Sequence, residues 1–406
     1  MPVLHRSRDD RRRPPLRFAL PLGIAALLAA PLAVGSARAA PVPEGVSAPA
    51  DRVDRDRPVF SHPTRITNPL FPITRVTQAV QLGHEADASL RHEITLIDEI
   101  KVFHWRGQRI ETVVSQFVAY SDGQIAEVAY DYFAQADDGA VWYFGEHVAN
   151  YADGVLDNHD GTWLAGRDGP PGMIMPSDPQ VGDVYRPENI PGLVFEEVTV
   201  KAIDQTVAGP RGPVHGAIVV QERLSDGTLE DKTFAPGYGE FSAHVPVEDE
   251  LVTVAVAVPT DSIGGATPPR LRQLSHDAAR VFADAPSASW RRLAAKVGRM
   301  TSSWGDFARP VPPLLAEQMD DALGGLQEAV ADRQRGDVRQ AAIDVELAAL
   351  DLRLQYSSPA RIDHRRLEAW ARQLRLDRSE HDGVGVASDR VILDAIAERL
   401  DDDDCR

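Results

Sequence analysis

The sequence predicts an α+β protein: an N-terminal antiparallel β-meander, forming a curved sheet or half-barrel, followed by a C-terminal α-helical bundle. Three observations predict it. Between residues 66 and 259, short runs rich in Val, Ile, Tyr, Phe and Thr recur with turn residues between them and no helix-length segment intervening, the signature of sequential antiparallel strands. Beyond residue 270 the apolar spacing changes to that of amphipathic helices. Between the two lies Thr260 to Pro269 (TDSIGGATPP), whose composition reads as a linker.

Strands are expected at Val76 to Leu82, Leu90 to Trp105, Arg109 to Tyr120, Ile125 to Gln135 and Val141 to Glu146. The stretch from Trp163 to Pro191 reads as loop, because Pro170, Pro171, Pro176, Pro179 and Pro187 interrupt it. Strands resume at Phe195 to Ile203, His215 to Leu224, Leu229 to Phe234, Glu240 to Val245 and Leu251 to Val258. Helices are expected at 271–284, 287–304, 313–334, 337–356, 362–377 and 388–400, within a bundle spanning 270–400, with Ser287 and Ser388 as N-caps. An acidic tail, 401–406, follows.

The segment Val128 to Glu146 organises the β half. Asp137-Asp138-Gly139 joins two aromatic runs into a hairpin. A two-residue turn would set Asp131 opposite Glu146, and facing like charges destabilise a pair. A three-residue loop instead sets Ala134 opposite Trp142 and Tyr132 opposite Phe144, and is the register expected. It leaves Tyr130, Tyr132, Trp142 and Phe144 on a structural face.

The first 39 residues carry an address. Arg11, Arg12, Arg13 and Arg17 precede an apolar run from Phe18 to Val34, and Ala37-Arg38-Ala39 follows. That order is a cleavable secretory signal, which implies a secreted or periplasmic and cell-envelope location with no stable membrane span after cleavage. Residues 40–65 read as a disordered leader. Cleavage would remove seven Arg and two Asp, taking the formal charge from −18 to −23. So acidic a chain lacks the basic face that nucleic acid requires. A single cysteine, Cys405, excludes an intrachain disulfide and a cysteine-based zinc site.

Tyr130-Asp131-Tyr132-Phe133-Ala134-Gln135 with Val141-Trp142-Tyr143-Phe144-Gly145-Glu146 resembles a segment of uncharacterised secreted bacterial proteins. The likeness continues through Trp163-Leu164-Ala165-Gly166, Pro171-Gly172-Met173-Ile174-Met175-Pro176, Gly182-Asp183-Val184-Tyr185-Arg186 and Pro236-Gly237-Tyr238-Gly239. The resemblance implies export and a shared β domain, and it brings no activity with it.

No nucleophile elbow, zinc-protease helix, calcium loop or phosphate-cradling glycine loop is present. The expected function is therefore binding, of a small ligand or a cell-envelope component, by a cofactor-free protein. Two clusters are candidates. Asp131, Gln135, Tyr143, Glu146 and His147 form a polar group that could orient a ligand, or a solvated sheet face. On the helix at 337–356, Asp344 and Asp351 share a stripe that turns inward, while Glu346 and Arg353 turn outward. With Asp363 and His364 the two aspartates could hold a divalent metal; with Arg366 they could form a buried salt-bridge network.

Overall fold

The computed structural model describes residues 47–48, 51–307 and 310–401. The signal segment and most of the acidic tail lie outside the described residues. Fourteen strands precede six helices among those residues. The first strands are β1 (Gln78–Glu85), β2 (Ala88–Trp105), β3 (Gln108–Ser121), β4 (Gln124–Gln135), β5 (Val141–Ala152), β6 (Val155–Asn158), β7 (Trp163–Leu164) and β8 (Gly172–Met175). Then come β9 (Val184–Ile190), β10 (Val194–Gly209), β11 (Gly212–Leu224), β12 (Leu229–Ala235), β13 (Gly239–Val245) and β14 (Glu250–Val258).

All ladders are antiparallel, in the order β6-β5-β4-β3-β2-β1-β14-β13-β12-β11-β10-β9, with β7 and β8 also paired to β5. The sheet is strongly curled. Strands β4 and β13 are five steps apart, about 24 Å on a flat sheet at ~4.8 Å per step. Yet Asp131 of β4 and Glu240 of β13 line one cavity. At the far ends, β8 packs against β9 without a ladder, so the sheet curls without closing.

Three strands appear in the stretch expected to be loop, β7, β8 and β9. Pro187 lies inside β9, which ends the strand order; a missing N–H costs little at a sheet edge. Residues 51–65, expected to be disordered, are docked instead. Val53 N donates to Val184 O, Asp54 Oδ2 accepts from Arg186 N, Ser61 Oγ donates to Asp137, and Phe60 packs edge-on against Phe144.

The helices are α1 (Pro269–Asp284), α2 (Trp290–Gly305), α3 (Pro313–Ala331), α4 (Arg335–Leu354), α5 (Pro359–Glu380) and α6 (Gly383–Asp401). Ser289, not Ser287, caps α2, accepting from Arg292 N. Ser388 lies within α6, where its hydroxyl accepts from Ile125 N and so ties that helix to β4. Sheet and helices share their cores. Val80, Val256 and Val258 pack among Leu271, Leu350 and Ile362, and Tyr120 and Val128 pack against Trp370 and Ile396. The 260–269 segment is held in place, with Asp261 buried, bonded to Ala257 N and Tyr238, and Ile263 N donating to Gln355 O.

The helices thus cover the convex face of the sheet. The concave face is the one that the hairpin residues enter.

Candidate functional site

The hairpin uses both of the registers that the sequence allows, one on each side of a bulge. Next to the three-residue loop, Ala134 faces Trp142 as expected; past the bulge, Asp131 faces Glu146, the arrangement expected to be avoided. Phe144 and Gly145 together oppose Tyr132, and Gly145 takes a φ of 107°. The bulge matters because Tyr143 and Glu146, three residues apart, would otherwise point to opposite faces. It turns both to the concave side, where Tyr143 Oη donates to Asp131 Oδ1 at 2.8 Å.

These residues begin a row of acids. Glu127 and Asp131 from β4, Glu146 from β5, Glu188 from β9, Glu196 from β10, Glu222 from β11 and Glu230 from β12 are all buried, and half-buried Glu240 from β13 joins them. Lys232 stands among them, its Nζ 2.8 Å from Glu222 and 3.5 Å from both Glu230 and Glu240. Burial alone would lower the Lys232 pKa, but the surrounding carboxylates hold it well above the ordinary value. One lysine cannot balance eight acids. Among the described residues, both carboxyl oxygens of Glu127 lack a hydrogen-bond partner, as does Ser115 Oγ.

Repulsion between Asp131 and Glu146 is the reason that the facing pair was not expected. At ~4 Å and an effective dielectric near 20, two ionised carboxylates repel by ~4 kcal/mol. The interior avoids this by retaining protons. Burial pushes Asp131 up to about 7, with Glu240 adding to the rise and the Tyr143 hydroxyl opposing it. Burial likewise pushes Glu188 up to about 8, against the hydrogen bonds it receives from Trp163 Nε1 and Glu146. Glu146 and Glu127 rise well above the carboxylate range, first through burial and then through neighbouring acids. His92 is pushed down to about 3 by burial and Lys232, so it is a neutral ring beside Gln81.

Aromatic rings shape the acid row. Tyr143 stacks on Phe133 with centroids 5.1 Å apart and meets Trp163 edge-on at 5.4 Å. Towards the β12–β13 turn the interior opens into a cavity of about 70 Å³, where Asp131, Ser115 and Glu240 face Phe71, Phe117 and Tyr238. That volume admits a few waters or one small polar head at ~10–15 Å³ per water.

The other expected site residues lie elsewhere. The Gln135 side chain accepts from Thr67 N and Asn68 N, which fastens the incoming chain to the hairpin. His147 is exposed on the outer face, beside a groove of about 660 Å³ that also involves Tyr130, His159, Arg167 and Glu398. Of the five, the structure brings together Asp131, Tyr143 and Glu146.

The helical group of four is not one cluster either. Asp351 and Asp363 are buried, but Asp344 and His364 are exposed. Arg366 donates to Asp351 Oδ1 and Asp363 Oδ1, each at 2.8 Å, and Arg91 also engages Asp351. Arg399 bonds Glu93 at 2.7 Å, and Gln78 joins the array through Asp363 and Arg366. Three arginines therefore meet three carboxylates in a network that locks β1 and β2 to α4, α5 and α6. Glu346, expected to face solvent, is buried and accepts both of its bonds from Arg372; Arg353 reaches Ser275.

Apart from Glu146, the glutamates of the acid row were not singled out from the sequence. Their signal is period-2 spacing among apolar strand residues, as in Glu127-Val128-Ala129-Tyr130-Asp131, which reads equally as a solvated face. No family model, curated protein or solved structure matches the chain.

Proposed function

We propose that this chain is an exported binding protein whose curled sheet takes a small organic cation, a primary ammonium head group, into its acidic interior. The carrying observation is the excess of buried carboxylates over cations on the concave face, with Asp131 at the wall of a cavity. An ammonium group offers the charge, and N–H donors from which Asp131, Glu240 and the unpartnered Ser115 Oγ in the cavity wall can accept. The rings beside Asp131 supply apolar and π surface for a short alkyl stem. Export is supported by the basic, apolar and small-residue order of the first 39 residues. A metal site in the helices loses support, since arginines already neutralise Asp351 and Asp363.

Calorimetric titration of the purified chain with methylammonium and ethanolamine tests this reading. Saturable binding that strengthens as pH rises through 7, and that Asp131→Asn weakens at least tenfold, is expected. No heat with either amine, or equal binding by the variant, refutes the reading.

A further inference from the structure

A second acidic group lies at the other end of the sheet, seven residues of β13 away from the cavity. The turn joining β1 to β2 and the turn joining β13 to β14 sit side by side there. Glu85 pairs with Glu250 in the β1–β14 ladder, and Ala86 N donates to Asp249 O at 3.0 Å. Glu248 comes from the second turn. One carboxylate oxygen from each of Glu85, Glu248 and Glu250 lies within 4.8 Å of the other two.

Acidic turns are common on protein surfaces, and three half-solvated glutamates would mean little. Glu250 differs. Its side chain is fully buried, and neither carboxyl oxygen has a hydrogen-bond partner among the described residues. It faces Glu85 and Glu248, which are half-buried. Behind it, Glu230 is also buried with both oxygens unpartnered by hydrogen bonds, so the surroundings add further negative charge. The nearby cation, Lys232, is already engaged by Glu222 at 2.8 Å. A buried carboxylate without a donor is costly unless a proton or a cation completes it.

We propose that Glu85, Glu248 and Glu250 form a site for a hard divalent cation of the calcium type, clasping the two turns together. The donors are all carboxylate oxygens, which excludes a preference for soft metals. Calcium accepts six to eight oxygens in loose geometry, so these carboxylates and water from the open side can complete its shell; magnesium demands a stricter octahedron. The protonation behaviour agrees with this arrangement. Burial, then Glu248, pushes Glu85 up to about 6; burial, then Glu230 and Glu85, pushes Glu250 up to about 9. A bound cation displaces those protons.

The test is calorimetric titration of the chelator-treated full chain with calcium chloride near pH 8, with thermal melting measured alongside. One calcium per chain is expected, with a dissociation constant on the order of 10⁻⁴ M, typical of extracellular modules. Melting temperature should rise with calcium. Glu248→Gln and Glu85→Gln, both near the surface, should each weaken binding at least tenfold with unchanged circular dichroism. Asp131→Asn should leave calcium binding intact, which separates this site from the interior cavity. Magnesium should bind more weakly. Absence of heat and of any melting shift up to ~10 mM calcium overturns the proposal, as does an unaltered titration in the Glu85→Gln, Glu248→Gln double variant.

Discussion

The retained protons of the interior make a quantitative prediction about Asp131. Its pKa rises from the ordinary 3.8 to about 7 in the folded chain. A carboxyl group that holds its proton more tightly when folded stabilises the fold fully below its unfolded pKa. That stabilisation fades as pH rises through the folded value, here between about 4 and 7. A shift of roughly three units at 1.36 kcal/mol per unit gives ~4 kcal/mol of stability lost across the window. Asp131 is 4% exposed, so solvent screening reduces this little. The Glu146–Glu188 pair adds a loss of the same sign at higher pH, although linked sites titrate together and their effects do not sum. Urea unfolding of the ligand-free chain at a series of pH values from 5 to 9 reads the slope. Wild type should lose stability steadily through neutrality, and Asp131→Asn should flatten the lower part of the curve. Stability that stays level or increases through neutrality, or an unchanged slope in the variant, would refute the argument. The amine ligand proposed above should restore what alkaline pH removes, by ~2.7 kcal/mol at a hundred times its dissociation constant.

Two further predictions concern the frame. Arg366→Met leaves Asp351 and Asp363 buried without their shared cation and should cost ~3–5 kcal/mol in urea unfolding. Adding Asp363→Asn restores charge balance and should recover part of that loss; a double variant showing the sum of two independent losses would argue against a network. Gly145→Ala places a Cβ 2.1 Å from Trp163 O at a φ of 107°, so β7 must move off β5. It should destabilise the chain by more than ~2 kcal/mol and shift the emission of the fully buried Trp163 to longer wavelength.

The order of strands and helices was legible because turn chemistry and apolar period mark it locally. Gly107, Gly123 and Gly227 each take positive φ at strand-joining turns, and all six helices fall within a few residues of their expected bounds. What was not legible depended on partners distant in sequence. Pro187 looks like a strand breaker until β9 proves to be an edge. Arg52 and Asp54 look like parts of a charged, disordered leader until Val184 and Arg186 meet that segment. For Asp351 and Asp363 the sequence offers a divalent metal or a salt-bridge network with Arg366, and it cannot show Arg91, which reaches Asp351 from a strand 260 residues earlier in the chain. The bulge at Gly145 is the clearest case. Either hairpin register is reasonable in isolation, and only the curled sheet, which lets Asp131 and Glu146 remain protonated, makes both true.

Two buried polar systems in one chain point to different purposes. Between sheet and helices, Arg91, Arg366 and Arg399 face Glu93, Asp351 and Asp363, and the charges balance. The fields agree: despite burial, the three arginines hold Glu93 below the carboxylate range, and Arg91 and Arg366 lower Asp351. That network needs nothing from outside and is explained by docking helices on a sheet. Inside the sheet the same chain leaves seven buried acids and half-buried Glu240 with Lys232, so burial raises carboxyl pKa values instead of lowering them. A fold able to neutralise one buried array so completely had arginines available to neutralise the other. An interior selected for stability alone would have replaced Glu127 with an apolar residue, since a protonated acid without a partner adds nothing that valine would not supply. The imbalance is thus best explained by a positively charged occupant.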